Sequence, residues 1–353
     1  MRKLLAVVAV LGASAAIAPA HAQSGSLTMY GRINLSLEYI DASDGRPDVT
    51  RLSSNSSRFG IRGSEPVGGG NRLIFALESQ VYPDAGSGVI AGRDSYLGFA
   101  GAWGSFRAGN MLSPYDDLYV IFGNEPTHWT SILSMSAVWA QGSLNKQDGG
   151  FNARLPNSVR YYTPNVAGLV GNVMVSLGPE NGEIYILSAY GEYASGPLLA
   201  AVAYERNTKV GGRPNDWALS VAGSWNFGTF KLAGVYERLD YRTSAGPLKR
   251  DLYGATATIP WGPGSLYAAW IHAMDGKGGG SRVAGLASGP DTGADHWGVS
   301  YTYFLSKRTH AYGGFVRLAN ESNARYDFNI NPYTFLRNGV KLNGIILGVA
   351  HDF

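Results

Sequence analysis

Apolar and polar residues alternate with a period of two over long stretches of this sequence. From Leu27 to Tyr39 the odd positions are mostly apolar, and the even positions carry polar or charged side chains such as Arg32 and Glu38. The same split recurs from Trp217 to Phe227. Successive side chains of a β-strand point to opposite faces, so the pattern predicts strands with one apolar and one polar face. A content of 48 Gly and 21 Tyr in 353 residues also favours strands over helices.

The connections between these strands alternate in length. Seven short turns fall at residues 65–70, 101–104, 163–168, 194–197, 227–229, 260–264 and 304–309. Eight longer polar segments fall between them, at residues 41–56, 82–92, 111–156, 178–182, 206–216, 240–250, 275–295 and 318–342. Together they join sixteen antiparallel strands, with both chain ends on the short-turn side. This asymmetry is typical of a transmembrane β-barrel with short periplasmic turns and long external loops.

The strands of a soluble β-sandwich show the same alternation of apolar and polar residues. The lengths of the connections therefore distinguish the barrel from the sandwich. No run approaches the roughly 18 apolar residues of a transmembrane helix, whereas about 9 to 11 residues are enough for a tilted spanning strand. Aromatic residues near the predicted strand ends are expected to form the two interfacial girdles: Tyr39, Trp217, Phe227, Trp297 and Tyr303. The absence of cysteine excludes a disulfide scaffold.

The N-terminus has the features of a secretory signal peptide. Arg2 and Lys3 precede an apolar stretch from Leu4 to Ile17, and Ala20-His21-Ala22 offers a small-x-small cleavage site. We therefore expect residues 1–22 to be removed and residues 23–353 to form the barrel. Without the signal peptide, 27 basic residues face 26 acidic ones, and the case for a nucleic-acid partner disappears.

Five motifs in order resemble the trimeric general porins of Gram-negative outer membranes, of the β-proteobacterial type. They are Ser26-Leu27-Thr28-Met29-Tyr30-Gly31, residues 57–65 with Gly68-Gly69-Gly70, residues 157–164, residues 305–309 and the terminal Phe353. The resemblance implies a homotrimer in the cell outer membrane, a passive diffusion channel for ions and small hydrophilic solutes, and a third loop folded into the lumen. It also implies contact with outer-membrane lipid, lipopolysaccharide and the outer-membrane assembly machinery. Pro66, Asn71 and Asn110 depart from the family pattern.

The longest connection, residues 111–156, lies where this family has its inward-folded loop. It carries the candidate acidic residues of the constriction: Asp116, Asp117 and Glu125, with Asp148 further along. A connection of this length is commonly either functional or disordered, so a mobile external loop is the alternative interpretation.

Strand parity puts a set of charged residues on the lumenal face. The basic members are Arg32, Arg58, Arg62, Arg72, Arg107 and Arg160, and the acidic ones are Glu38 and Glu78. A charge facing lipid near the midplane costs about 2 to 4 kcal/mol, which supports the lumenal assignment. Because arginine predominates on this wall, we expect a weak preference for anions. The alternative for each arginine is a structural ion pair with a neighbouring carboxylate or subunit.

Ile345, Leu347, Val349, His351 and Phe353 share one parity at the C-terminus, which resembles the signal read by the assembly machinery. An apolar barrel face alone would give the same pattern.

No motif of an enzyme, cofactor site or metal site is present: the sequence lacks G-x-S-x-G, H-E-x-x-H and a P-loop. The alternatives to a general porin are a substrate-selective channel and a non-conducting barrel that acts as an adhesin or structural protein.

Overall fold

The computed structural model describes residues 25–123, 127, 131–141, 150–177, 185–208 and 215–353. The predicted signal peptide, Glu125 and Asp148 lie outside these described residues. The described chain forms one antiparallel sheet that closes on itself, because the first strand pairs with the last from Arg32↔Asp352 to Ala42↔Leu342. Closure leaves no open sheet edge, as a barrel in lipid requires.

Sixteen strands make up the wall, as the sequence predicts. They are β1 Ser26–Ala42, β2 in two pieces Val49–Ser54 and Arg58–Gly68, β3 Asn71–Tyr82, β4 Ser95–Gly101, β5 Gly104–Leu112, β6 Arg154–Tyr162, β7 Leu169–Ser176, β8 Tyr185–Ser195, β9 Leu198–Thr208, β10 Asp216–Asn226, β11 Lys231–Thr243, β12 Gly246–Trp261, β13 Gly264–Ala273, β14 Ala294–Phe304, β15 Thr309–Asn320 and β16 Lys341–Asp352. Two short extra pieces, Ser87–Val89 and Lys277–Gly278, pair with β3 and β12. Among the described residues, no helix is both long and apolar enough to cross a membrane.

The two faces of the wall differ as the alternation predicts. On β1 the outward Leu37 is 57% exposed, whereas the inward Asn34, Ser36 and Glu38 are buried. On β16 the outward Leu347 is 63% exposed. An exposed apolar outer face is stable only against hydrocarbon or another apolar surface, so it fits a barrel surrounded by lipid.

One predicted loop is wrong. Residues 240–250 were expected to be a long polar connection, but β11 and β12 remain paired up to Thr243↔Gly246 and are joined by a tight turn. Charged residues such as Asp240 and Lys249 suggest a loop in the sequence. In the structure they are direct cross-strand partners whose charged groups lie 3.6 Å apart, so they extend the hairpin instead of ending it.

The apolar core lies inside the barrel, between the wall and the connection from β5 to β6, which we call loop 3 (residues 113–153). Loop 3 contains a 3-10 helix, Pro114–Leu118, followed by a one-turn α-helix, Tyr119–Phe122. The indole ring of Trp139 packs on Tyr115, Tyr119 and Phe122, each with ring centroids 5.4 Å away. The described parts of loop 3 are thus packed into the lumen, which narrows its open cross-section.

Candidate functional site

A cavity of about 910 Å³ lies in the lumen between loop 3 and the wall formed by β1 to β6. The wall contributes Arg58, Arg62 and Arg107 to its lining, and loop 3 contributes Asp116 and Tyr119. A third border comes from the connection between β15 and β16, which we call loop 8 (residues 321–340) and which contributes Asn329, Ile330 and Asn331. The three elements together surround the narrowed part of the lumen.

Two of the wall arginines lie on tyrosine rings and have no carboxylate partner among the described residues. The guanidinium carbon of Arg62 is 4.9 Å from the ring centroid of Tyr30. That of Arg107 is 4.7 Å from the centroid of Tyr96 and 4.2 Å from that of Tyr162. A cation over an aromatic face is held in position while it keeps its charge. These two arginines therefore present positive charge to the cavity.

The third wall arginine, Arg58, shares a carboxylate with a loop residue. Its Nε lies 3.9 Å from Glu78 Oε2, whereas Arg93 donates directly to the other oxygen of Glu78. Tyr30 also donates to Glu78, with its hydroxyl 3.0 Å from Oε2. Burial lowers the pKa of Arg93, and the nearby Arg154 lowers it further. Glu78 is thus largely neutralised by its partners.

Asp116 is the acidic residue that loop 3 presents to the cavity. Its carboxylate accepts a hydrogen bond from Asn152, with Nδ2 2.9 Å away. Burial raises the pKa of Asp116 to about 7, and the neighbouring Asp117 contributes to the increase. Near neutral pH this carboxyl is therefore only partly ionised, so it opposes the wall arginines weakly.

Asp117 and Arg160 were expected on opposite sides of the constriction, but the structure joins them. Arg160 donates to Asp117, and its Nη1 donates to the backbone oxygen of Leu112 at 2.7 Å. Asn172 also donates to Asp117, at 2.8 Å. Arg160 is 2% exposed, and neither charged residue lines the cavity. This contact ties the start of loop 3 to β6 and β7.

Two other arginines assigned to the pore wall also lie outside the cavity lining. Arg32 is buried and its Nε donates to Asp352 at 2.6 Å, because the two residues are cross-strand partners where the barrel closes. Arg72 is exposed at the short-turn end, paired with Pro66 beside the turn from β2 to β3. Parity identified the correct face of both strands but not the position along the pore.

Several cavity residues carry no signal in the strand pattern. Arg93 and Asp94 belong to the connection after β3, and Arg154 is the first residue of β6, where its Nε pairs with Asp94 at 3.0 Å. Loop 8 is held by Arg51, which donates to the backbone oxygens of Asn331 and Pro332. Asn329 of loop 8 donates to Ser136 of loop 3 at 3.0 Å. Only the three-dimensional arrangement of loops brings these residues together.

Loop 3 is fixed on its other side by a buried ion pair of the wall. Arg250 on β12 donates to Glu237 on β11, and both side chains are fully buried. The other Glu237 oxygen accepts from the Tyr115 hydroxyl at 2.9 Å and from the backbone nitrogen of Ala140 at 2.8 Å. Arg250 also donates to the backbone oxygen of Val138 at 2.5 Å. One ion pair thus anchors two segments of loop 3.

Comparison with known proteins agrees with this architecture. Residues 6–323 match the family described as Gram-negative porin. The chain is 28% identical over 375 residues to outer membrane porin protein 32 of Delftia acidovorans, with complete coverage of both chains. The anion-selective porin from Comamonas acidovorans superposes with a TM-score of 0.80 at 25% identity, covering 94% of this chain and 100% of that one. The trimer form of OmpT, an outer membrane protein of Vibrio cholerae, gives a TM-score of 0.69 at 15% identity, covering 94% and 100%.

The closed sixteen-stranded barrel, the narrowed lumen and the family match lead to one conclusion. This chain belongs to the Gram-negative porin family and is a channel protein of the outer membrane.

Proposed function

We propose that this porin is a passive diffusion channel for ions and small hydrophilic solutes with a preference for anions. The observation that carries the proposal is the pair Arg62 and Arg107, which line the cavity, lie on tyrosine rings and have no carboxylate partner among the described residues. Charged side chains at a constriction tune ion selectivity.

The state of the carboxylates around the cavity also supports a preference for anions. Glu78 pairs with Arg93, Asp94 with Arg154 and Asp352 with Arg32, so three negative charges are compensated locally. The fourth, Asp116, has a pKa of about 7 because of its burial. Little negative charge is left to oppose the two unpaired arginines and Arg58. The relative from Comamonas acidovorans is described as anion-selective, which agrees with this assignment.

The test is a planar-bilayer measurement of single-channel conductance and of the reversal potential in a KCl gradient. We expect ohmic steps and a reversal potential that favours chloride. The double substitution Arg62→Gln and Arg107→Gln should shift the reversal potential toward the equilibrium potential of potassium, while single channels still conduct. A cation-selective wild-type channel would contradict the proposed sign of the selectivity.

The same measurement separates the alternatives. A substrate-selective channel would be blocked by one class of solute at low concentration, and a closed adhesin-like barrel would give no conductance from folded protein. Diffusion through a charged constriction needs no catalytic step, and we propose no enzymatic activity, cofactor or metal for this chain.

Export and assembly complete the proposal. We infer cleavage after Ala22, assembly as a homotrimer and recognition of the C-terminal strand, ending at Phe353, by the outer-membrane assembly machinery. N-terminal sequencing of the mature protein and cross-linking of the unheated protein test the first two points. A mature chain that begins at another residue would exclude cleavage after Ala22. A protein that cross-links only as a monomer when unheated would exclude the homotrimer.

A further inference from the structure

The ring of Tyr30 on β1 is held in a fixed position on the lumenal wall. Its hydroxyl donates to Glu78 Oε2 at 3.0 Å. The ring lies over Gly60 of β2, where an added Cβ would come within 2.8 Å of a ring carbon. A side chain at position 60 would therefore displace the ring from the wall. Tyr30 is thus a rigid aromatic platform at the cavity that it lines.

The guanidinium group of Arg62 rests on this platform with one face and is open on the other. Its carbon is 4.9 Å from the ring centroid of Tyr30, and no second ring contacts it among the described residues. The side chain is exposed and lines the cavity. A guanidinium group is planar and stacks on aromatic faces. Arg62 therefore offers a flat positive surface to a planar ring that enters the lumen.

Arg107 on β5 is held by two rings instead of one. Tyr96 on β4 and Tyr162 on β6 flank it from the two neighbouring strands, with ring centroids 4.7 and 4.2 Å from its guanidinium carbon. Rings on both sides leave the edge of the group, with its N–H donors, for other partners. The Nε of Arg107 has no hydrogen-bond partner among the described residues. Because in-plane guanidinium donors match the two oxygens of a carboxylate, Arg107 suits a carboxylate better than a ring.

The cavity has room for a ligand that contacts both arginines. Because β3 and β4 lie between their strands, Arg62 and Arg107 are about 14 Å apart along the wall at the backbone. The cavity volume of about 910 Å³ lies within the range of about 300 to 1,000 Å³ that is typical of small-molecule sites. Loop 8 borders it with the uncharged Asn329, Ile330 and Asn331. A ligand between the arginines must carry its ring and its charge at different ends.

We propose that Arg62 and Arg107, on their tyrosine rings, form a binding site for aromatic carboxylates in the lumen. The carboxylate accepts the in-plane N–H groups of Arg107, and the ring stacks on the open face of Arg62. A small inorganic anion gains only the charge interaction, and an uncharged ring gains only the stacking. The inference rests on the proposed anion channel, because the ligand must enter the lumen, and it adds a preference for planar rings that charge alone does not give.

The test compares three probes of similar size on the full-length mature protein refolded in detergent. They are benzoate, cyclohexanecarboxylate, which has the same charge without an aromatic ring, and benzamide, which has the ring without the charge. Saturation-transfer NMR titrations measure their binding and do not need a conducting channel. The variant is Arg62→Lys, which keeps the charge and removes the planar group. Arg58→Lys is the matched control, because it makes the same exchange in the same cavity at an arginine that lies beside Glu78.

We expect wild type to bind benzoate about fivefold more tightly than either of the other probes. This difference should disappear in Arg62→Lys and persist in Arg58→Lys. Equal binding of the two carboxylates by wild type, or a difference that survives in Arg62→Lys, would overturn the proposal.

Reversal potentials in a KCl gradient, measured on the same preparation, separate this site from the channel. A cation-selective channel that still prefers benzoate would contradict the proposed selectivity and leave the site intact. An anion-selective channel that does not distinguish the two carboxylates would contradict the site alone.

Discussion

Arg107 and Arg160 are direct cross-strand partners on β5 and β6, but their charges are used differently. Both guanidinium groups lie on the ring of Tyr162, with guanidinium carbons 4.2 and 4.4 Å from its centroid. Arg160 is buried and bound to Asp117. Arg107 lines the cavity, and its Nε has no hydrogen-bond partner among the described residues. One arginine therefore holds loop 3, and the other faces the cavity in the lumen.

Neutralising each of these arginines should have a different consequence. Arg107→Gln should lower the anion preference and leave the stability of the barrel nearly unchanged, because no ion pair is broken. Arg160→Gln should destabilise the barrel by about 3 to 5 kcal/mol, since it leaves Asp117 without its buried partner. Reversal potentials in a KCl gradient and urea unfolding of the folded barrel measure the two effects. Equal shifts of the reversal potential in both variants would show that the distinction is incorrect.

The anion preference should depend on pH near neutrality. Burial raises the pKa of Asp116 to about 7, so its carboxyl becomes neutral as the pH falls through this value. Loss of this negative charge leaves the wall arginines less opposed, and the preference for anions should rise from pH 8 to pH 6. The measurement is the reversal potential of wild type over that range.

Asp116→Asn is the control for this titration. The variant should show the low-pH selectivity at every pH, with a flat profile between 6 and 8. The other charged groups close to Asp116 are Asp117, Asp94 and Arg154. The cavity lining of the described residues contains no histidine that could titrate in the same range. A profile that stays steep in Asp116→Asn would assign the pH dependence to another group.

The ion pair of Glu237 and Arg250, which anchors loop 3, should determine how much the single-channel current fluctuates. Glu237→Gln leaves the buried Arg250 charge uncompensated, which we expect to cost about 3 to 5 kcal/mol of stability. It also weakens the contacts to Tyr115 and Ala140, so loop 3 should move and single-channel current should become noisier. Urea unfolding and current variance at fixed voltage measure both consequences.

The double variant Glu237→Gln with Arg250→Leu tests the cause. Removing both charges should recover part of the lost stability, since no buried charge is then left unpaired. The current should remain noisy, because the contacts to loop 3 are still weakened. Full stability of the single variant would mean that the ion pair does not hold the loop.

The sequence predicted the wall well because a period of two is a local property of each strand. It placed Arg58, Arg62 and Arg107 on the lumenal face, where they line the cavity. The same parity could not reveal that Arg32 is neutralised by Asp352, a residue 320 positions away that becomes its neighbour only on closure. Nor could it find the pairing of Asp116 with Asn152, because loop residues have no periodicity that fixes their direction.

Phe353 combines a packing role where the barrel closes with the proposed role as an assembly signal, and two variants separate these roles. The residue closes the barrel by exchanging backbone hydrogen bonds with Gly31, at 3.1 and 3.0 Å. Its ring lies over Gly31, where an added Cβ would come within 2.4 Å of a ring carbon. Gly31→Ala should therefore disturb the packing of the ring, and also the contact with the Arg58 backbone oxygen 2.7 Å from the added Cβ, while leaving the terminal phenylalanine in the sequence. Deletion of Phe353 removes both the packing and the proposed assembly signal.

Each variant is refolded from denatured protein in detergent and, separately, expressed in the outer membrane. If Phe353 is an assembly signal, both variants should refold with similar, moderately reduced yields in detergent, where no machinery acts. In cells the deletion should then lose far more folded protein than Gly31→Ala. Equal losses in cells would reduce Phe353 to a packing residue, because the clash at Gly31 alone would account for the defect.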